Sequence, residues 1–225
     1  MTDDARHLLV PGFSQTPQAW SAVIAGLPGE VEALDIPGSG NFAEAARQLA
    51  RGRTGIWAGY SMGGRLALRV ALDRPEQVRA LMLISTSPGI ADDAERARRR
   101  RADDDLANWA EQHGREAFLD RWTSQPLFSG LDPAATRRHR LESIAEIAGQ
   151  LRRLGQGVQQ PMWDRLGELT MPVVLIAGER DHRYSAIARR MAATIGNRAQ
   201  LCIVPNAGHA LLEEQPGAIA ELLRM

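Results

Sequence analysis

The sequence predicts an α/β fold, with a mostly parallel sheet of about six strands and helices on both faces. Short apolar runs alternate along the chain with segments whose apolar residues recur at helical spacing. Each run is followed by glycine, proline or polar residues, as expected for buried parallel strands. With 225 residues, 44% of them hydrophobic, the chain can form one large core but is short for two independent domains.

The apolar runs place the strands and the helical spacing places the helices. The candidate strands are residues 7–10, 31–34, 55–58, 80–85, 173–177 and 201–204. Helices are predicted over residues 42–49, over the segment that follows Ser61, and over 217–223. The helix after Ser61 should end before Pro75, because proline disfavours helical geometry at the preceding residue.

The alternation stops between Ser85 and Val173. This stretch holds three of the five tryptophans, shows helical periodicity and contains no convincing strand. We interpret residues 87–169 as a helical cap over the site, inserted into a core made of residues 1–86 and 170–225. The alternative is ordinary packing of these helices against the sheet.

Composition and charge exclude several classes of function. Lys+Arg and Asp+Glu both number 27, so no net field attracts the chain to nucleic acid or to a membrane. No apolar stretch approaches the ~20 residues that span a bilayer, and residues 1–4 lack the features of a signal peptide. With Cys202 as its single cysteine, the chain can form no internal disulfide. We expect a cytoplasmic monomer or weak homo-oligomer.

A five-residue motif follows the third predicted strand. Gly59-Tyr60-Ser61-Met62-Gly63 matches the pattern G-x-S-x-G, with a strand before it and a helix after it. In so tight a turn the serine backbone is strained, and small residues two before and two after it avoid clashes. The turn raises Ser61 Oγ above the sheet edge at a helix N-terminus, where N–H groups face developing negative charge. Ser61 is therefore the predicted nucleophile.

An acid and a histidine follow two later strands. Asp181 comes just beyond the fifth predicted strand and His209 just beyond the sixth, at the edge where ligand sites of open α/β sheets collect. Asp181 is expected to fix the imidazole tautomer, and His209 to accept the proton of Ser61. Glu179 and Asp164 are alternatives to Asp181. The alternative for His209 is a solvated loop histidine.

The order Ser…Asp…His and the strand–turn–helix context of Ser61 resemble the α/β-hydrolase superfamily over the whole chain. The resemblance implies that the glycine turn after the first strand supplies an oxyanion-hole N–H from Phe13, alongside that of Met62. The segment 35–40, Asp-Ile-Pro-Gly-Ser-Gly, is similar to the D-x-P-G-x-G turn of the superfamily. Because the chain starts at the oxyanion strand, we expect the usual N-terminal antiparallel strands to be missing.

Three longer segments are more particular. They are residues 59–68 (Gly-Tyr-Ser-Met-Gly-Gly-Arg-Leu-Ala-Leu), 121–128 (Arg-Trp-Thr-Ser-Gln-Pro-Leu-Phe) and 151–163. They resemble motifs of the 2-succinyl-6-hydroxy-2,4-cyclohexadiene-1-carboxylate (SHCHC) synthases of menaquinone biosynthesis. Such synthases need no cofactor and eliminate pyruvate from a cyclohexene that carries three carboxylates. The resemblance thus implies a carbon–oxygen lyase with a small anionic substrate, no cofactor and no metal.

Three carboxylates require cations, and the planar guanidinium of arginine binds carboxylates through two hydrogen bonds. The resemblance assigns this role to Arg65, one helical turn beyond Ser61, and to Arg99 and Arg140 of the cap. Arg98 or Arg100 could replace Arg99, and each cap arginine could instead be a surface charge. Tyr60 and Trp122 are expected to line the same pocket.

Two other functions remain open at this point. One is a carboxylic-ester or thioester hydrolase that forms an acyl-enzyme on Ser61. The other is a non-catalytic binding protein with a hydrolase fold, which has no reason to keep Ser61, Asp181 and His209 together. The arginines discriminate between lyase and esterase, because a pocket of the lipase type would be apolar.

Overall fold

The computed structural model describes residues 6–128 and 131–224. Its centre is a sheet of six strands in the order β2-β1-β3-β4-β5-β6, and every neighbouring pair is parallel. The strands are β1 (His7–Val10), β2 (Val31–Ala33), β3 (Gly55–Tyr60), β4 (Val78–Ile84), β5 (Val173–Gly178) and β6 (Ala199–Val204). The predicted α/β fold with about six strands is confirmed.

The helices follow the predicted alternation. They are α1 (Ser21–Ile24), α2 (Phe42–Ala50), α3 (Met62–Asp73), α4 (Asp93–Thr123), α5 (Pro133–Arg137), α6 (Ile144–Leu154), α7 (His182–Ile195), α8 (Leu211–Glu214) and α9 (Pro216–Leu223), with a 3₁₀ helix at Trp163–Glu168. Strand β3 extends two residues beyond its predicted end, β4 and β6 each begin two residues before the predicted start, and β4 ends at Ile84, one residue earlier than predicted. There the hydrogen-bond ladder between the strands, and not apolar patterning alone, sets the ends.

The sheet is buried on both faces, because successive side chains of a strand point to opposite sides. Leu8 and Val10 of β1 belong to the apolar cluster under α2, α3 and α7. Leu9, between them, belongs to the cluster under α1, α8 and α9. Helices on both faces were predicted, and they leave the carboxyl ends of the parallel strands as the open edge.

Helices also fill the described part of the segment between β4 and β5. α4 packs against α6 through a third apolar cluster that includes Phe118 and Leu151, and it is kinked at Gly114, whose φ is 82°. A short antiparallel bridge between Gln15 and Arg140 joins this segment to the loop after β1. Within the described residues, no helix combines the length and apolar character needed to cross a membrane.

Candidate active site

The turn between β3 and α3 presents Ser61 at the open edge of the sheet. Ser61 has φ 51° and ψ −109°, a left-handed backbone that is strained for a residue with a side chain. A Cβ on Gly59 would overlap the backbone of Gly63, and one on Gly63 would overlap the carbonyl of Val10. The two glycines of the motif are therefore required by backbone contacts. The Ser61 N–H donates to Ile84 O of β4 at 2.9 Å, which fixes the turn to the sheet.

Ser61, His209 and Asp181 lie together, although they are separated by up to 148 positions in the chain. Ser61 Oγ and His209 Nε2 are 3.4 Å apart, and His209 Nδ1 and Asp181 Oδ2 are 2.6 Å apart. The exposed fractions of His209 and Asp181 are 3% and 7%. Burial strengthens the bond between the two side chains and keeps water from replacing either partner.

The two alternative acids lie elsewhere. Glu179 is exposed, and its Oε2 accepts a hydrogen bond from the backbone N–H of Asn206 at 3.0 Å. Asp164 is exposed on the 3₁₀ helix Trp163–Glu168. Among the three candidate acids, Asp181 is the one whose carboxylate contacts His209.

Two contacts hold the loop that carries His209. A Cβ on Gly178 would overlap the carbonyls of Ala207 and Gly208, so the two loops approach closely only because residue 178 is glycine. Glu214 of α8 accepts hydrogen bonds from Gly208 N at 2.7 Å and Ala210 N at 3.1 Å, the amides on either side of His209. Sequence reasoning missed Glu214, which stands five residues after the histidine.

The loop after β1 leaves one N–H free beside the nucleophile. Gly12 N donates to the side-chain oxygen of Gln15 at 2.9 Å, and Ser14 N to that of Gln150 at 2.8 Å. The amide between them, on Phe13, has no hydrogen-bond acceptor among residues 6–128 and 131–224. Met62 N, in the first turn of α3, is likewise without an acceptor there, as first-turn amides usually are. The two amides that the sequence predicted for an oxyanion hole are thus available for a ligand.

Backbone strain is concentrated at this edge of the sheet. Apart from glycines, the described residues with positive φ are Ser14, Ser61, Ser85, His139 and Asn206. Four of them follow the carboxyl ends of β1, β3, β4 and β6, and His139 pairs with the loop after β1 through its carbonyl. Such strain persists only where surrounding structure imposes it, and it collects at functional sites.

A cavity of about 260 Å³ opens onto Ser61 and His209. Its lining combines sheet-edge loops with the segment between β4 and β5, and comprises Phe13, Ser61, Met62, Arg65, Arg99, Trp122, Gln125, Pro126, Leu127, Gln150, Leu151, Gly155, Gln156, Arg183, Tyr184 and His209. Of the predicted pocket residues, Arg65, Arg99 and Trp122 belong to this lining, whereas Tyr60 and Arg140 do not. Arg98 and Arg100, the alternatives to Arg99, are exposed and lie outside it.

The two predicted arginines of the lining have different hydrogen-bond partners, a neutral amide for Arg65 and a carboxylate for Arg99. Arg65 is 5% exposed, and its NH1 donates to the side-chain oxygen of Gln159 at 2.7 Å. Burial, with a smaller contribution from the positive charge of Arg99, lowers the pKa of Arg65 to about 10. Arg65 is still cationic at neutral pH. Arg99 Nε donates to Asp103 Oδ1 at 2.8 Å, which leaves its terminal nitrogens for the cavity.

Arg140 lies behind the loop of Phe13. Its NH1 donates to Phe13 O at 3.0 Å and to Ser14 Oγ at 3.1 Å, and its Nε donates to Thr136 O at 2.9 Å. Burial lowers the pKa of this guanidinium, although the charge of Glu213 opposes the effect. In this structure Arg140 therefore contacts the oxyanion loop, and its predicted contact with substrate stays a prediction.

Tyr60 lies near the charges of Arg140 and Glu213 on one side and packs against His209 on the other. Its ring centroid is 5.6 Å from that of His209. Burial raises the pKa of the Tyr60 hydroxyl well above its usual value, and the charge of Glu213 adds to the effect. Glu213 itself is held by Gln15, whose Nε2 donates to Glu213 Oε1 at 3.1 Å. Tyr60 thus supports the imidazole from behind.

No cluster of three or more His, Cys, Asp or Glu side chains suited to a metal ion occurs in the described part of the chain. The arrangement that is present can remove and return a proton through Ser61 and His209. It can also stabilise an oxyanion at the two free amides, next to fixed positive charge.

Comparisons with known proteins agree with this geometry. The model of the alpha/beta hydrolase family matches residues 8–222. A 2-succinyl-6-hydroxy-2,4-cyclohexadiene-1-carboxylate synthase of Enterobacter sp. (strain 638) is 31% identical, over 94% of this chain and 87% of that protein. A protein of Bacillus subtilis (strain 168) that provisionally carries the same name is 33% identical, over 94% and 86% of the two chains.

A solved structure extends the likeness to three dimensions. MenH from S. aureus superposes with a TM-score of 0.91 at 29% identity, over 100% of this chain and 93% of that one. The chain therefore belongs to the alpha/beta hydrolase family, and within it to the family of the SHCHC synthases.

Proposed function

We propose that this protein is a cofactor-free carbon–oxygen lyase of the SHCHC synthase type. It eliminates pyruvate from a cyclohexene that bears three carboxylates. The observation that carries the proposal is the composition of one cavity, in which the hydrogen-bonded pair Ser61–His209 lies beside the guanidinium groups of Arg65 and Arg99. An enzyme for neutral esters has no use for a buried cation such as Arg65 one turn from the nucleophile.

In the proposed reaction Ser61 and His209 act as the base. His209 Nε2 draws the proton of Ser61, so that Ser61 Oγ can remove a ring proton next to the succinyl carbonyl. The electron pair moves onto the carbonyl oxygen, where the amides of Phe13 and Met62 stabilise the enolate. Return of that pair through the ring double bond breaks the C–O bond to the enolpyruvyl group. The departing enolate takes up the proton and becomes pyruvate.

Asp181 has a supporting role in this proposal. Its bond to His209 Nδ1 keeps the Nε2 lone pair directed at Ser61 and stabilises the imidazolium once the proton is taken. The segment 87–169 is proposed as the cap of the site. Trp122 at the end of α4, Gln125 just after it and Gln150 in α6 support the assignment because they line the cavity together with Ser61.

A hydrolase that acts on carboxylic esters or thioesters is the second candidate. The free amides of Phe13 and Met62 favour it, because an acyl-enzyme on Ser61 also passes through an oxyanion. In that reaction Ser61 Oγ attacks the carbonyl carbon, whereas in the lyase it only moves a proton.

The deciding experiment offers the purified protein the enolpyruvyl substrate of SHCHC synthase and, separately, a panel of short p-nitrophenyl esters. We expect pyruvate release from the first and little turnover of the second. Good ester hydrolysis without any pyruvate release would contradict the lyase proposal and support the hydrolase.

We further propose that the protein works in the cytoplasm as a monomer or weak homo-oligomer, without nucleic acid. The balance of 27 basic and 27 acidic residues supports the absence of a nucleic-acid partner, because it provides no net field toward polyanions. Light scattering coupled to size-exclusion chromatography at two protein concentrations tests the oligomeric state.

A further inference from the structure

A third guanidinium faces the cavity from the side of His209. Arg183, near the start of α7, lines the same cavity as Ser61, Arg65 and Arg99. The three arginines come from three different helices, α3, α4 and α7. Within the described residues, no aspartate or glutamate belongs to the lining.

Arg183 differs from the other two arginines because its guanidinium has no hydrogen-bond partner among the described residues. Arg65 is bonded to Gln159 and Arg99 to Asp103. Arg183 makes no ion pair and no hydrogen bond with residues 6–128 or 131–224. The guanidinium carbon of Arg183 lies 6.0 Å from the centroid of the Tyr184 ring.

The position of Arg183 also opposes the field of its own helix. Arg183 is in the first turn of α7, whose N-terminus carries partial positive charge, so a cation there is unfavourable by a few tenths of a kcal/mol or more. The first turn contains no acidic residue, and the carboxylate of the N-cap residue Asp181 is already bonded to Tyr184 N and His209 Nδ1. Arg183 therefore stabilises neither its helix nor an ion pair among the described residues, and what it adds is positive charge at the cavity.

The neighbouring side chain fixes where Arg183 stands. Tyr184 is 9% exposed, its ring centroid is 4.6 Å from that of His209, and its backbone N–H donates to Asp181 Oδ1 at 3.2 Å. The Tyr184 hydroxyl accepts a hydrogen bond from Gln156 Nε2 at 3.2 Å. The backbone that carries Arg183 is therefore rigidly placed relative to the imidazole, and its exposed side chain stands at the mouth of the cavity.

We infer that Arg183 binds one carboxylate of the substrate at the cavity mouth and so helps to determine specificity for a polyanion. This inference rests on the proposed function, because it assigns one of three substrate carboxylates to this residue. Arg65 then faces a carboxylate in the desolvated interior, and Arg183 faces one in partial contact with water. An exposed cation acts on substrate capture more than on the chemical step.

The test compares Arg183→Met with Arg189→Met. Arg189 is an exposed arginine of the same helix that does not line the cavity, so its substitution removes the same net charge. We expect Arg183→Met to raise KM for the enolpyruvyl substrate about tenfold, as for one partly exposed charge-assisted hydrogen bond, with kcat within a few-fold. Arg183→Lys should recover part of the loss, and Arg189→Met should match wild type.

Salt dependence separates a direct contact at the mouth from a packing defect. The ratio of wild-type to Arg183→Met kcat/KM should shrink as ionic strength rises from about 0.02 to about 0.5 M, because exposed charges are screened. A defect in packing would leave the ratio unchanged, and that result would contradict the inference.

A binding measurement keeps this test independent of the lyase reaction. Titration calorimetry with tricarballylate, a small trianion, should show weaker binding to Arg183→Met than to Arg189→Met. If wild type releases no pyruvate, the proposed function fails and the titration alone decides about Arg183. If Arg183→Met behaves like Arg189→Met in the titration and in turnover, or if wild type does not bind tricarballylate, the inference is overturned.

Discussion

The two walls of the cavity are built by different means. On the sheet side, the backbone positions Ser61 and His209, and glycines permit contacts that no side chain would allow. On the facing wall, which the segment between β4 and β5 provides, Arg99 is directed by its side-chain bond to Asp103. The difference teaches that backbone geometry places the reactive groups at the sheet edge, whereas contacts between side chains place the charged group on the facing wall.

The largest expected effects lie on the sheet side. Ser61→Ala and His209→Ala should each lower turnover by several orders of magnitude, about 10³-fold or more, because a triad works as a unit. Circular dichroism should show an unchanged fold. Ser61→Ala with a tenth of wild-type turnover would contradict the catalytic role assigned to Ser61.

The choice of acid gives the next largest effect. Asp181→Asn should lower turnover by roughly 10³-fold, because the amide can stabilise neither the imidazolium nor the required tautomer. Glu179→Gln is the matched control, and it should stay within a few-fold since Glu179 is exposed and accepts a hydrogen bond from a backbone amide of the neighbouring loop. A greater loss in Glu179→Gln than in Asp181→Asn would reverse the assignment.

Arg65, on α3 beside Ser61, tests the proposal that charged side chains of the lining set which substrate is accepted. Arg65→Met keeps the apolar stem and removes the charge, so kcat/KM for the trianionic substrate should fall roughly 30- to 150-fold, or ~2–3 kcal/mol. Hydrolysis of a small neutral ester should stay within a few-fold or rise. Equal losses on both substrates would mean that Arg65 supports the fold and not substrate choice.

The same substitution should leave stability intact. Arg65 is a buried cation that is bonded to a neutral amide, and the fold already lowers its pKa to about 10. Removing such a charge relieves desolvation, so the Tm of Arg65→Met should equal or exceed that of wild type. A marked fall in Tm in differential scanning calorimetry would contradict this account.

The smallest effect is expected behind the oxyanion loop, where Glu213 is partly buried. Burial raises the pKa of Glu213 above its usual value, while the charge of Arg140 opposes the shift. The folded state thus favours the protonated acid, so this group's contribution to stability is lost as pH rises through the folded-state pKa. The free energy of unfolding of Glu213→Gln should therefore improve relative to wild type from about pH 4 to about pH 7.

Glu221→Gln is the control for that measurement, because Glu221 is exposed on α9. Its free energy of unfolding should follow wild type at every pH. A Glu213→Gln variant that follows wild type equally well would show that the Glu213 carboxyl is not stabilised in its protonated form.

The sequence alone was enough to predict the sheet edge that carries Ser61, Asp181 and His209. Apolar runs, the glycines of the Ser61 motif and the order of Ser61, Asp181 and His209 depend on local backbone rules, and strand ends of a parallel sheet meet at one edge. The sequence therefore predicted the fold and the three residues that lie together, and it favoured Asp181 over Glu179 before any distance was known.

Only the tertiary structure decided which side chains surround the substrate cavity. Gln150 and Arg183 line the cavity, and Glu214 holds the loop of His209, yet none of the three belongs to a local sequence motif. Their positions arise from helices far apart in sequence that pack together. The structure likewise places Arg65 in the lining and Arg140 against the carbonyl of Phe13. Residue type alone could not predict this difference, because both residues are arginines. The physical reason is that a charge acts through what it contacts, and long-range packing sets those contacts.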